Sequence, residues 1–249
     1  MTVARAIIDV QNVAKTFTDH PGQSLKALDN ITLRIHDGEF FIFVGPSGSG
    51  KSTLLRIMSG LEKTYEGAVR LGEGLTHTEV SFVFQQFALL PWLTIAENVE
   101  LGLIGRDVPE ATRRVRVGSE LKRFGLEKFS AAYPKELSGG MRQRVGIARA
   151  LATDPKIIFM DEPFSELDSF TAEALRQELL EIWEERKPTI VMVTHVIEEA
   201  LMLADRIAVL TPRPGRIEKV VKNTLPRPRQ ERSEEFYRLE DALYGLVKP

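Results

Sequence analysis

Phe40-Phe41-Ile42-Phe43-Val44-Gly45-Pro46-Ser47-Gly48-Ser49-Gly50-Lys51-Ser52 is an unbroken apolar pentad running into a glycine-rich loop that ends in Lys-Ser. Five apolar residues are too few for a helix and read as a strand buried on both faces. Beyond the loop, Thr53–Ser59 reads as a helix that stops at Gly60. A strand, a loop of the form G-x-x-x-x-G-K-[ST] and a helix together make a phosphate-binding unit. With glycine near ~7% of residues, a chance match somewhere in such a chain is roughly one in a hundred. The glycines let backbone N–H groups close around a polyphosphate, and the helix N-terminus adds a favourable dipole. In this pattern Lys51 bridges the β- and γ-phosphates and the Ser52 hydroxyl ligates Mg²⁺. Gly45, Pro46, Ser47, Gly48, Ser49, Gly50 and Thr53 complete the candidate nucleotide contacts.

Upstream of the pentad, Ile7–Val13 and Ala27–Ile35 alternate as strands, and Asp37-Gly38 marks a turn. Downstream, Ala68–Leu71 and Val80–Phe84 read as short strands. Residues 87–153 turn helical, with Pro109 at a helix start and Ala111, Val115, Leu121 and Phe124 near helical spacing. Arg113, Arg114, Arg116, Lys122 and Arg123 read there as a solvated basic face. After residue 155 strands and helices alternate: Ile157–Met160, Thr171–Glu185, Thr189–Val193, Ala200–Ala204, Arg206–Leu210. That rhythm implies a mainly parallel sheet covered on both faces. A final amphipathic helix places Phe236, Leu239, Leu243 and Leu246 on one face, to pack on the core or in a partner's groove.

Two strand ends carry further candidates. Asp161 and Glu162 follow Ile157–Met160, and His195 follows Thr189–Thr194, at the carboxyl ends where ligands bind in open α/β sheets. Asp161 suits the Mg²⁺ shell and Glu162 suits a general base for water. Taken singly, each is a weak signal; a phosphate loop on the same edge makes them one.

Composition bounds the function classes. The chain has 249 residues, 33 basic against 35 acidic, for a formal net charge of −2. That balance argues against a protein that wraps nucleic acid. The absence of cysteine excludes disulfides and Cys-based zinc sites. No apolar stretch approaches the ~18 residues of a membrane span, so a membrane role requires another chain as the pore.

Leu137-Ser138-Gly139-Gly140-Met141, followed by Arg142-Gln143-Arg144, completes a set that resembles the nucleotide-binding subunits of ATP-binding cassette importers over roughly Ile7 to Gly215. The resemblance implies an α/β core of the P-loop NTPase class, residues 1–86 and 154–249. Its sheet is mixed and mainly parallel, with an antiparallel N-terminal portion and a helical insert at 87–153. It implies ATP and Mg²⁺, a second copy of the chain, and a sandwich in which Leu137–Met141 faces the partner's ATP. Phe17, a core residue on its own reading, falls where the family stacks a ring on adenine. Gln85 matches the Mg²⁺-sensing glutamine, so Ser52, Gln85 and Asp161 (through water) form the metal set. Asp168 matches the loop that signals across the dimer, and His195 matches the γ-phosphate contact. Catalysis falls to Glu162, His195 and Lys51.

Met141 stands where most members have Gln, and Glu166 where small residues are usual. Leu137–Arg144, Pro163–Asp168, Thr211–Ile217 and Leu89-Leu90-Pro91-Trp92 look like the nitrate, sulfonate and taurine import branch. Its implied partners are transmembrane permease subunits and, indirectly, an extracytoplasmic solute-binding protein. Its implied place is the cytoplasmic face of the inner membrane. Leu89, Leu90, Trp92 and Leu93 are the expected permease anchors. The alternatives are a cassette ATPase clamp outside transport, a small-molecule kinase, which has no use for the Ser138 loop, and an inactive subunit.

Overall fold

The computed structural model describes residues 5–20 and 23–247. In chain order the elements are β1 (Ala6–His20), β2 (Gln23–His36), β3 (Phe40–Val44), α1 (Lys51–Met58), β4 (Glu66–Leu71), β5 (Val80–Val83), α2 (Ile95–Ile104), α3 (Glu110–Arg123), α4 (Gly139–Ala152), β6 (Ile157–Asp161), α5 (Ser169–Arg186), β7 (Thr189–Val193), α6 (Ile197–Leu203), β8 (Arg206–Leu210), β9 (Ile217–Lys222) and α7 (Glu234–Leu246). They fall into two compact units, Met1–His77 with Arg186–Pro249, and Thr78–Glu185.

The first unit holds two sheets. β2, β1 and β4 form an antiparallel sheet with β1 central. Its inner face comes from Ile8, Val10, Val13, Ile31, Leu33 and Ile35, all buried. In the second sheet β3 lies between β7 and β8, parallel to both, and β9 adds antiparallel to β8. The pentad Phe40–Val44 behaves as its composition requires, with every residue buried. Phe41 and Phe43 meet edge to face at 5.0 Å. Full burial of side chains this size is worth ~1.5–3 kcal/mol each, which makes β3 the anchor of the unit. β9, half exposed along its length, was not anticipated. The final helix runs Glu234–Leu246 and contacts α6, with Phe236 and Leu243 buried. It packs on its own chain, the first of the two expected uses.

The second unit is mainly helical. β5 and β6 pair in parallel, and α2, α3 and α4 pack on one another. Arg106 pins the end of α4 to β5, donating to Thr153 O at 3.0 Å and to Val80 O at 2.8 Å. The expected helical segment 87–153 lies wholly inside this unit. Pro109 is the residue just before α3, in keeping with its role as a starter. The basic face of α3 is paired as well as solvated: Arg113 meets Glu100 at 2.6 Å and Arg123 meets Glu185 at 2.7 Å.

Candidate nucleotide site

In the first unit the phosphate loop leaves the carboxyl end of β3 and opens α1. Gly50 sits just before the helix at φ 90°, a left-handed conformation that favours glycine. A side chain there would also strike β2, because a Cβ would lie 2.9 Å from the Ala27 carbonyl oxygen. Lys51 is buried and reaches back over the loop, donating from Nζ to Gly45 O at 2.8 Å and Pro46 O at 3.0 Å. Those contacts hold the ammonium where the loop curls. Ser49 is fully buried and its hydroxyl has no hydrogen-bond partner among the described residues. A buried hydroxyl with unmet capacity, a lysine folded over glycines and a helix N-terminus are what a polyphosphate cradle requires.

β7 is the parallel neighbour of β3, with Val193 opposite Phe43. His195 therefore emerges on the same sheet edge as the phosphate loop, as its position after an apolar strand predicts. Thr194 shapes the bend: its N–H donates to Phe43 O at 3.1 Å, and its hydroxyl donates to buried Glu199 at 2.6 Å. His195 itself is exposed. Phe17 lies on β1 opposite Leu25 of β2 and is half-buried. The Lys15 ammonium sits 4.7 Å from the Phe17 ring centroid, so the ring is already used as a cation platform.

In the second unit Asp161 ends β6 and is buried, 3% exposed. Glu162 follows at φ 43°, a strained value for a residue with a side chain. Ser165, a residue that motif reading passed over, secures this corner. Its N–H and hydroxyl both donate to Glu162 O, at 3.3 and 3.0 Å. Gln85 Nε2 donates to the same Ser165 hydroxyl at 3.3 Å, so Gln85, Ser165 and the Glu162 backbone form one chain of contacts.

The Ser138 loop and the Asp168 loop also meet within this unit. Ser138 caps α4, accepting from Met141 N–H at 3.3 Å. Asp168 accepts from Thr171 N–H at 3.1 Å at the start of α5. Hydrogen bonds from the Thr171 side chain and backbone hold the Asp168 carboxyl below its usual range. The two loops touch where Gly140 faces Thr171: a Cβ on Gly140 would lie 2.4 Å from Thr171 Cγ2. Leu137 is buried beneath them, while Gly139 faces the Glu166 carbonyl.

The segment after Gln85 makes a turn that no motif announces. Phe87 and Ala88 are both left-handed, at φ 27° and 47°. α4 holds them: Arg149 donates to Ala88 O at 2.7 Å and Phe87 O at 3.1 Å, and Arg142 stacks 5.2 Å from the Phe87 ring. Asn98, fully buried, takes Leu90 N–H and donates to the carbonyls of Leu90, Leu93 and Thr94. The loop so fixed leaves Trp92 69% exposed, whereas Leu89, Leu90 and Leu93 are half-buried.

Comparison with known proteins supplies the family. Residues 28–165 match the family model of the ABC transporter. The chain is 43% identical to the aliphatic sulfonates import ATP-binding protein SsuB of Bacillus cereus, over 92% of this chain and 91% of that protein. It is 40% identical to the nitrate import ATP-binding protein NrtD of Synechocystis, over 97% and 95%. Among solved structures it resembles the dimeric post-hydrolysis state of an ATP-binding cassette bound to ADP and Pi. The TM-score is 0.77 at 41% identity, over 87% of this chain and 98% of that one. With a family match over more than half its length and relatives of this identity along nearly all of it, the chain belongs to the ABC transporter family, as one of its ATP-binding, ATP-hydrolysing subunits.

Proposed function

We propose that this subunit powers import of a small solute of the nitrate, sulfonate or taurine type through a separate membrane permease. The names of its relatives support the solute class. No helix among the described residues is long and apolar enough to cross a membrane. On this reading the subunit works as a peripheral partner of the permease, on its cytoplasmic side, as the importer names of its relatives support, and meets the extracytoplasmic solute-binding protein only through it.

The observation that carries the chemistry is the phosphate loop, with Lys51 folded over it by the Gly45 and Pro46 carbonyls. Lys51 and the loop's backbone N–H groups bind the polyphosphate, and Phe17 stacks on adenine. Glu162 accepts a proton from the water that attacks the γ-phosphorus, and His195 contacts the γ-phosphate. Mg²⁺ entering with the nucleotide would be held by the Ser52 hydroxyl and, through water, by Gln85 and Asp161, neutralising charge on the phosphoryl oxygens. These are hard oxygen ligands, and few are needed because Mg²⁺ keeps waters and phosphate oxygens. The Ser138 loop, a capped helix start with two small residues beside it, presents N–H groups to the ATP of a second copy. Asp168 carries the state of one site toward the other. The insert, residues 87–153, carries the signature loop and the permease-facing surface, and the remaining core, 1–86 and 154–249, carries the phosphate loop.

Glu162→Gln tests this reading. The amide keeps the size of the side chain and cannot take the proton, so turnover falls ~10²–10⁴-fold while ATP affinity persists. ATP held between two copies then stabilises the closed pair. The variant is expected to elute as a dimer with Mg-ATP and as a monomer without nucleotide. A monomer with ATP bound refutes the sandwich.

A further inference from the structure

The nucleotide reading gives no task to Thr211-Pro212-Arg213-Pro214-Gly215-Arg216, the turn that joins β8 to β9. β8 runs parallel to β3 with Val209 opposite Val44, so this turn leaves the sheet at the edge where the phosphate loop leaves it. Thr211 closes the turn on itself. Its N–H donates to Arg216 O at 2.9 Å, and its hydroxyl accepts from Arg216 N–H at 3.0 Å and donates to Pro214 O at 3.2 Å.

From that frame two contacts reach the phosphate loop. Arg213 Nε donates to Gly48 O at 3.3 Å, and its guanidinium lies so near that a Cβ on Gly48 would fall 2.9 Å from Nη2. Gly215 is buried against the next residue: a Cβ there would lie 2.0 Å from the Ser49 carbonyl oxygen. Gly215 is in turn fastened to β2, donating to Ala27 O at 2.9 Å and accepting from Asp29 N–H at 3.0 Å. Arg216 Nε adds an ion pair to Asp29 at 2.8 Å. Gly50, at the far end of the loop, packs on the same Ala27 and Leu28. The loop is thus gripped between β2 and the turn.

We propose that this turn is a clasp for the phosphate loop and that Arg213 is a positioning residue for nucleotide affinity. By holding Gly48 O, Arg213 keeps the loop in its phosphate-binding shape before nucleotide arrives. The inference rests on reading Gly45–Ser52 as the phosphate site. A preset loop serves bound substrate and transition state alike, so weakening the clasp raises KM and leaves kcat nearly unchanged. A brace outside the site differs in this from the catalytic groups, whose loss lowers kcat.

The test uses the purified full-length chain and its Arg213→Ala, Arg213→Lys, Gly215→Ala and Lys51→Ala variants. Three quantities are read: steady-state ATP hydrolysis, inhibition by inorganic tripolyphosphate, and melting without nucleotide. Losing one charge-assisted contact in Arg213→Ala should raise KM for ATP and Ki for tripolyphosphate together by about five- to tenfold, with kcat within about twofold. Nucleotide-free melting should stay within about 2 °C, because the side chain is exposed. Arg213→Lys should recover most of the affinity, since an ammonium still donates to one carbonyl. Gly215→Ala should show the same split more strongly. Unchanged KM and Ki in Arg213→Ala overturn the clasp, as does a fall in kcat at constant KM, or a melting loss that tracks the affinity loss. If Lys51→Ala hydrolyses ATP like the wild type, the phosphate-site reading itself falls. A dead Lys51→Ala beside a wild-type-like Arg213→Ala sinks the clasp alone.

Discussion

Arg149→Ala should damage the second unit at a position that touches no nucleotide. The half-buried guanidinium donates to two carbonyls, Ala88 O and Phe87 O, at 2.7 and 3.1 Å, and burial lowers its pKa. Hydrogen bonds from a charged donor contribute ~1.5–3 kcal/mol each, and partial exposure places both at the low end. The carbonyls belong to consecutive left-handed residues, a conformation that costs a side-chain-bearing residue ~1–2 kcal/mol. Removing the donor leaves the strain without its restraint, and the turn relaxes to recover part of it. The net loss is therefore about 3 kcal/mol, which in a chain of this size lowers Tm by roughly 6–12 °C. Thermal melting followed by circular dichroism measures it. Ala88→Gly supplies the control. Glycine accepts φ 47° without penalty, so it should raise Tm in the wild type by about 2–4 °C, and by less in Arg149→Ala, where the turn has already relaxed. A Tm within about 2 °C of wild type for Arg149→Ala, or an Ala88→Gly that destabilises both backgrounds, refutes the account of a strained turn held from α4.

Trp92 is 69% exposed, so Trp92→Ala should leave Tm and the basal ATPase of the isolated subunit unchanged while weakening co-purification with the permease. A Tm loss of several degrees would mark it as core instead. Ser138→Arg removes a helix cap worth ~1 kcal/mol and blocks the small-residue face, so dimer closure should fail while the monomer still binds nucleotide. Met141→Gln keeps the backbone donor to Ser138 and should turn over within about threefold of wild type; equal defects in the two variants refute the assigned loop role. Glu240 on α7 has its pKa raised by desolvation first and by neighbouring Glu198 next. An acid with a raised folded pKa is least costly when protonated, so Glu240→Gln should raise Tm at neutral pH. The gain should fade as pH falls through the raised pKa, and a gain that grows on acidification refutes it.

Local pattern determined much of the fold. Phe40–Val44, Ile157–Met160 and Thr189–Val193 are short apolar runs, and burial from both sides made each a strand whatever its neighbours. Element ends were less visible. β1 runs to His20, beyond the apolar stretch ending at Val13, because pairing with β2 continues through polar residues and several register shifts. Polar residues carry no periodic signal once a strand leaves the core, and alternation is the signal that sequence reading uses. β9 escaped for the same reason: Ile217–Lys222 is half exposed and gains its place from β8 alone.

The site divides along a similar line. Lys51, Ser52 and His195 were legible because a strand end and a glycine loop place them by local geometry. His195 and the phosphate loop share an edge because β3 and β7 are neighbours. Ser165, Arg149 and Arg213 were not legible, because each acts on a backbone carbonyl. Ser165 works three residues away; Arg149 and Arg213 reach over 61 and 165 positions. A carbonyl has no residue identity, so a side chain that grips one leaves no partner type for a motif to record. The same physics explains why such contacts are dense here. Loops that must present N–H groups to a polyphosphate spend their donors on the ligand, and their carbonyls point outward. A side-chain donor outside each loop is the cheapest restraint for those carbonyls, and arginine, always charged and several times a donor, is suited to it. The phosphate loop has Arg213 on Gly48; in the segment after Gln85, which is not a phosphate loop, Arg149 holds Phe87 and Ala88 in their left-handed turn by the same kind of contact. Residues placed in this way should change affinity or stability when altered and leave untouched the chemical step proposed for Glu162, His195 and Lys51.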